Sequence, residues 1–227
     1  MIIGNGQLAQ AFSKNERNNT LIFASGVSNS NCTDEVKFDR ERQLLLSTLQ
    51  SYGDKKFVYF SSCALSAPEY PKNVYYQHKQ QMEDLIKTHS NHYFIFRIPQ
   101  LFGKLKHHNT LINFLYESIL KGTSFNVYSK AYRYLIEIND VVKLVEAYLN
   151  FSESNVTIDL ANPHRYSVLD IIECFETLLH KKANYEILEK EDGYILNLDA
   201  LLHFIDEYKV PVHFSEDYFV KKLNSIL

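Results

Sequence analysis

Short β-prone apolar runs recur along this chain, and each is followed by a longer stretch whose apolar residues repeat at helical spacing. Residues 1–3, 21–25, 57–61 and 93–97 read as strands, and 7–14, 34–51 and 74–88 as the helices between them. Strands separated by whole helices cannot pair as tight hairpins, so the pattern predicts an α/β fold with a mainly parallel sheet flanked by helices. On the 34–51 helix, Val36, Leu45, Leu46 and Leu49 are expected to face the sheet, and on the next helix Met82, Leu85 and Ile86.

The second half changes character. A helix over 109–121 stops at Gly122, a strand over 134–137 runs into Asn139 and Asp140 as a helix cap, and that helix continues to 149. A strand follows at 156–160. Ser167 and Asp170 have the spacing of a capping box opening a helix to 180. A strand at 185–188 and a terminal helix capped near Ser215 complete a small C-terminal α/β portion. The expected division is a nucleotide-binding core over 1–105 and a substrate-binding remainder over 106–227, joined in one compact unit.

A chain of 227 residues, 45% of them hydrophobic, can bury a sizeable core. Its 24 basic and 27 acidic residues are mixed along the length, which argues against a nucleic-acid or anionic-membrane surface. Three cysteines (Cys32, Cys63, Cys174) without ligand spacing argue against a disulfide framework and a metal site. Met1 leads directly into the first strand with no basic leader, and no window reaches the roughly 20 apolar residues of a membrane span. The expectation is a cytoplasmic protein.

Gly4-x-Gly6-x-x-Ala9 lies between the first strand and the first helix. A first Gly permits a tight turn, a second lets backbone approach a pyrophosphate, and a small third residue lets the helix pack closely. Gly4, Gly6, Gln7 and Leu8 are therefore candidate cofactor-binding residues. The next strand ends in Ala24-Ser25-Gly26 with no carboxylate for an adenine ribose, so these three would border a shortened adenosine pocket.

Tyr75 and Lys79 stand four residues apart on one helical face, where a lysine ammonium would lower the phenol's pKa and make Tyr75 a usable acid or base. Tyr52 with Lys56 and Tyr218 with Lys222 share that spacing. Ser62 distinguishes Tyr75: it ends a predicted central strand, where open α/β sheets place their ligands.

These residues resemble the extended short-chain dehydrogenase/reductase family of nucleotide-sugar epimerases, dehydratases and reductases. The likeness runs through the glycine turn, Val58-Tyr59-Phe60-Ser61-Ser62, the Tyr75/Lys79 pair, Phe96-Arg97-Ile98-Pro99-Gln100-Leu101-Phe102-Gly103, and the stretch from Arg133 to Asp140. The resemblance implies a Rossmann-like fold, NAD or NADP as cofactor, and a nucleotide-sugar substrate in glycan or surface-polysaccharide precursor synthesis. Ser62 would orient the sugar oxygen, Tyr75 would move its proton, and Lys79 would tune Tyr75 and touch the cofactor ribose. Arg133 would hold the substrate diphosphate and Asn113 would contact the nucleotide-sugar. Family members often pair as homodimers through the helices at 34–51 and 74–88.

The chain also departs from the family. The interval between Gly6 and the serine strand is short, with Ala24-Ser25-Gly26 resembling the end of the family's fourth strand and the second and third strands absent. Arg40 stands where these enzymes often carry an active-site Asn. Ser62 is followed by Cys63-Ala64 and not by an acidic pair, which disfavours dehydration and leaves epimerisation or ketone reduction, with Cys63, His107 and His108 as further acid/base candidates. The alternative is a degenerate relative that binds a nucleotide or partner protein without turnover.

Overall fold

The computed structural model describes residues 1–13, 18–105 and 110–226. Five parallel strands form the central sheet in the order β1 (Ile2–Ile3), β2 (Thr20–Phe23), β3 (Lys56–Ser62), β4 (Tyr93–Ile98) and β8 (Val156–Asp159). Helices cover both faces, so alternate strand residues sort into two apolar layers. Leu21, Phe23, Phe57, Tyr59 and Ile95 pack with residues of α2 (Glu35–Tyr52) and α3 (Val74–His89). Ile22, Val58, Phe60, Phe94 and Phe96 pack with residues of α1 (Gln7–Phe12) and α5 (Ile138–Phe151). The Rossmann-like, mainly parallel architecture is thus as the sequence implies.

The buried stripe of α2 is Phe38, Glu41, Leu45, Thr48 and Leu49, and Val36 is exposed. At about 100° per residue, Val36 lies roughly 200° around the helix from Phe38, so both cannot face the sheet. Leu46 is only partly buried.

Strand order runs in one direction from β1 to β4, while α1 shares a face with α5 and the opposite face carries α2 and α3. The β1-α1-β2 crossover therefore has the opposite hand to β2-α2-β3 and β3-α3-β4, and one of those hands is rare between parallel strands. β1 is a two-residue edge strand with no described neighbour on its outer side. Among the described strands the order does not reverse between β1 and β2, so no switch point of the kind at which doubly wound sheets usually cradle a dinucleotide lies there.

A second lobe is built on β6 (Phe125–Arg133), which pairs in parallel with β10 (Tyr185–Asp192) and antiparallel with β9 (Tyr166–Ser167). It packs against α4 (Leu111–Lys121), α6 (Val168–Leu179) and α8 (Tyr218–Asn224) around Phe102, Phe175 and Phe219. The pair β5 (Gln100–Phe102) and β7 (Leu135–Glu137) joins the lobe to the sheet. α7 (Asp199–Glu207) lies against α5, with the rings of Phe204 and Tyr148 stacked at 3.7 Å.

The Ser167/Asp170 capping box opens α6 as expected. The start of α5 differs: Glu137 caps it, accepting from the Asn139 N–H, and Asp140 is buried inside the first turn, accepting from the Tyr218 hydroxyl and paired with Lys222. Ser215 does not cap the last helix; its hydroxyl donates to Asp217 at 2.6 Å. Among the described residues no helix is long and apolar enough to cross a membrane, and no group of three or more His, Cys, Asp or Glu is placed to hold a metal ion.

Candidate active site

The C-terminal ends of β2 and β3, the start of α1 and the tips of β6 and β10 enclose a crevice of about 1350 Å³. Gly6, Gln7, Leu8, Ala24, Gly26, Ser62, Tyr75, Lys79 and Arg133 all line it. Gly4, Ser25 and Asn113 are not among its lining residues. Gly4 serves the fold: its φ is +125°, and a Cβ there would sit 2.3 Å from the Ala24 carbonyl oxygen. The Ser25 carbonyl accepts from the Arg40 guanidinium at 3.1 Å. Asn113 is 3% exposed, and its side-chain amide nitrogen has no partner among the described residues. Thr110 and Phe114 from the same helix region reach the crevice in its place.

Ser62 ends β3 at the crevice opening, and Tyr75 is the second residue of α3, a helix capped by Asn73. The Tyr75 ring packs edge-on to Tyr76 at 5.2 Å and belongs to a small cluster with Val27, Phe38 and Ala64. Burial, and then the neighbouring Tyr76 and Glu41, hold its phenol above the ordinary tyrosine value of 10.0. This corrects the expectation of a lysine-sharpened phenol.

The reason is where the Lys79 ammonium goes. It is 2% exposed and donates to Glu41 Oε1 at 3.1 Å and to the Tyr59 hydroxyl at 2.9 Å, while lying 6.0 Å from the Tyr75 ring centre. Glu41, fully buried on α2, also accepts from the Tyr59 hydroxyl at 2.7 Å and the Val27 N–H at 2.6 Å, and meets His78 Nε2 at 3.0 Å. The Lys79 charge, His78, the Val27 N–H and Tyr59 together outweigh the effect of burial and hold the Glu41 carboxyl well below the usual range. Gly26 closes the cluster from above, since a Cβ there would lie 2.7 Å from both Glu41 Oε1 and Lys79 Nζ. Sequence reasoning missed Glu41, Tyr59 and His78; the available signal was a charged residue three positions from Phe38 and four from Leu45 on one helix stripe.

Arg133 reaches the crevice with its guanidinium already engaged. Its Nη1 donates to the Tyr132 and Asp192 carbonyls, both at 2.9 Å, and its Nη2 to the Asp192 carboxylate at 2.5 Å. Cys63 is no crevice group: it is fully buried, its thiol donates to the Arg97 carbonyl at 3.1 Å, and burial beside Asp159 pushes its pKa up. His107 and His108 lie outside the described residues.

The residues fit one end of a nicotinamide dinucleotide. A Cβ at Gly6 would meet nothing within 4 Å, so that backbone is open to a phosphate oxygen, with Gln7 and Leu8 beside it. No described strand flanks β1 to wall an adenosine, in keeping with the missing carboxylate after Phe23.

The model of the family described as "NAD dependent epimerase/dehydratase family" matches residues 8–162. Among solved structures, UDP-glucose 4-epimerase of Thermus thermophilus, complexed with NAD, is 16% identical with a TM-score of 0.67, over 97% of this chain and 82% of that one. UDP-glucuronic acid 4-epimerase of Bacillus cereus, in complex with UDP-glucuronic acid and NAD, is 15% identical with a TM-score of 0.71, over 98% and 78%. RMD of Pseudomonas aeruginosa, complexed with NADPH, is 15% identical with a TM-score of 0.70, over 92% and 81%. No curated protein sequence matches it. At such identities the structures establish the shared fold, and the match over more than half of its length establishes the lineage: the chain belongs to the NAD dependent epimerase/dehydratase family.

Proposed function

We propose that the protein is an NAD(P)-dependent enzyme acting on a nucleotide-activated sugar, as a ketone reductase or an epimerase, in the synthesis of glycan or surface-polysaccharide precursors. The observation that carries this reading is the convergence of Gly6, Ser62, Tyr75 and Arg133 on one crevice. Its volume of about 1350 Å³ exceeds that of a pocket for one small ligand, which suits a cofactor and a substrate side by side. The exposed faces of α2 and α3, including Val36 and Val74, leave room for a homodimer of the family's kind.

Ser62 orients the sugar oxygen. Tyr75, whose buried phenol keeps its proton at neutral pH, donates that proton to the oxygen of a carbonyl undergoing reduction. A bound nicotinamide supplies the hydride chemistry. A second reading, a relative that binds nucleotide-sugar without turnover, is favoured by the commitment of Lys79 to Glu41 and by the lack of a neighbouring strand outside β1 among the described residues.

Calorimetric titration with NADH, NADPH and UDP tests the proposal. The wild-type protein is expected to bind UDP and at least one reduced cofactor. Gly6→Val, whose side chain enters the space kept for phosphate, should weaken cofactor binding at least about tenfold at unchanged melting temperature. Gly4→Ala should instead lower the melting temperature, because its Cβ meets the Ala24 backbone. If neither cofactor binds at millimolar concentration, the enzyme reading is wrong; UDP binding without turnover would favour the second.

A further inference from the structure

Arg133 and Asp192 are 59 positions apart in sequence, stand at the ends of the neighbouring strands β6 and β10, and both line the crevice. Their approach depends on an irregularity in the β6/β10 ladder: Leu188 pairs with Tyr128, and the next pairing is Glu191 with Lys130, so β10 carries one extra residue. Such a bulge redirects the side chains beyond it. Asp192 then leaves the strand with one carboxylate oxygen on Arg133 and the other accepting from the Tyr70 hydroxyl at 2.9 Å. Tyr70 comes from the loop between Ser66 and Val74, on the sheet side of the crevice, and its ring packs against Tyr194 at 5.1 Å and Tyr76 at 5.8 Å. One carboxylate thus ties the sheet to the second lobe. The side chains of Arg133 and Asp192 remain 19% and 21% exposed, within reach of an incoming ligand.

A guanidinium fork binds carboxylate and phosphate oxygens by the same planar geometry, so the two compete for the same N–H groups. A nucleoside diphosphate offers more negative charge and more acceptor oxygens than one carboxylate. When it takes the fork, Asp192 must leave, and the Tyr70 contact leaves with it. An Asp192 that stays in place repels the phosphates. Lys72 and Lys190 also line the crevice and would share the phosphate charge, while Glu191 opposes it.

We propose that Asp192 is a built-in occupant of the Arg133 anion seat, which a nucleotide-sugar diphosphate displaces on binding and which sets the affinity for it. This rests on the nucleotide-sugar reading of the crevice. Nothing in the family match, which ends at residue 162, bears on Asp192.

The test is calorimetric titration of the full chain with UDP, and separately with NADH, for wild type, Asp192→Ser and Arg133→Met. Serine is chosen over asparagine because an asparagine carbonyl could still accept from the fork. Asp192→Ser is expected to bind UDP about three- to tenfold more tightly, with NADH affinity unchanged, and Arg133→Met to bind UDP at least about tenfold more weakly. Unchanged or weaker UDP binding by a folded Asp192→Ser overturns the proposal. So does a gain for NADH alone, which would assign the seat to the cofactor. If Asp192→Ser melts early, Tyr70→Phe, which loosens the same carboxylate and keeps the ring packing, must tighten UDP binding for the proposal to stand. Failure of wild type and every variant to bind UDP removes the nucleotide-sugar reading, and this inference with it.

Discussion

Tyr75→Phe is expected to lower kcat by about 10²- to 10⁴-fold, the range of a lost general acid, with cofactor affinity and melting temperature nearly unchanged. The fold should not notice the change. The ring stays against Tyr76 in its apolar cluster, and only the hydroxyl is removed. The pH profile adds a second check. A proton donor must be protonated to act, and burial holds this phenol above 10.0, so its limb of the kcat profile should stay level through neutral and mildly alkaline pH and fall only beyond the ordinary tyrosine range. A Tyr75→Phe enzyme with undiminished turnover would remove Tyr75 from the chemistry. A limb near neutral pH assigned to Tyr75 would mean that Lys79 approaches it in the working complex.

Glu41→Leu is expected to be the most damaging single change to stability, by about 3–5 kcal/mol in chemical denaturation, since it leaves the buried Lys79 charge unpaired and the Val27 N–H without its acceptor. The double variant Glu41→Leu with Lys79→Met should recover much of that loss, because removing both charges abolishes the uncompensated one. A double variant no more stable than the single would show that the pair is not what the cluster depends on. Acid should act through the same group. The folded Glu41 carboxyl lies below its ordinary value of 4.5, so its contribution is complete above that value and declines as pH falls through the carboxylate range. Glu41→Gln should flatten that acid limb.

The inner strands β2, β3 and β4 were legible because each is a short, mostly apolar run with consecutive buried residues, and the Ser167/Asp170 box because its signal is local. β6 was not. Its sequence alternates in burial at Phe125 and Val127, then passes through Ser129 and Lys130 opposite the bulge, and reads as loop. The site divides in the same way. The spacing of Tyr75 and Lys79 is local and showed in the sequence, but the direction of the ammonium depends on Glu41, 38 positions away. The engagement of Arg133 depends likewise on Asp192 and on a bulge that no local pattern announces. The lack of a described strand beyond β1 matches the short interval after Gly6, because removing whole β-α units changes spacing before anything else.

On the proposed reading the crevice serves the nicotinamide and phosphate end of a cofactor, and among the described residues no strand on the outer side of β1 offers adenosine a wall. Comparing the affinity of NADH with that of reduced nicotinamide mononucleotide, by calorimetry on the wild-type protein, measures the adenosine contribution directly. The two are expected to agree within about tenfold. NADH binding about a hundredfold or more tightly would reveal a seat for the adenosine and rule out a site reduced to its nicotinamide end.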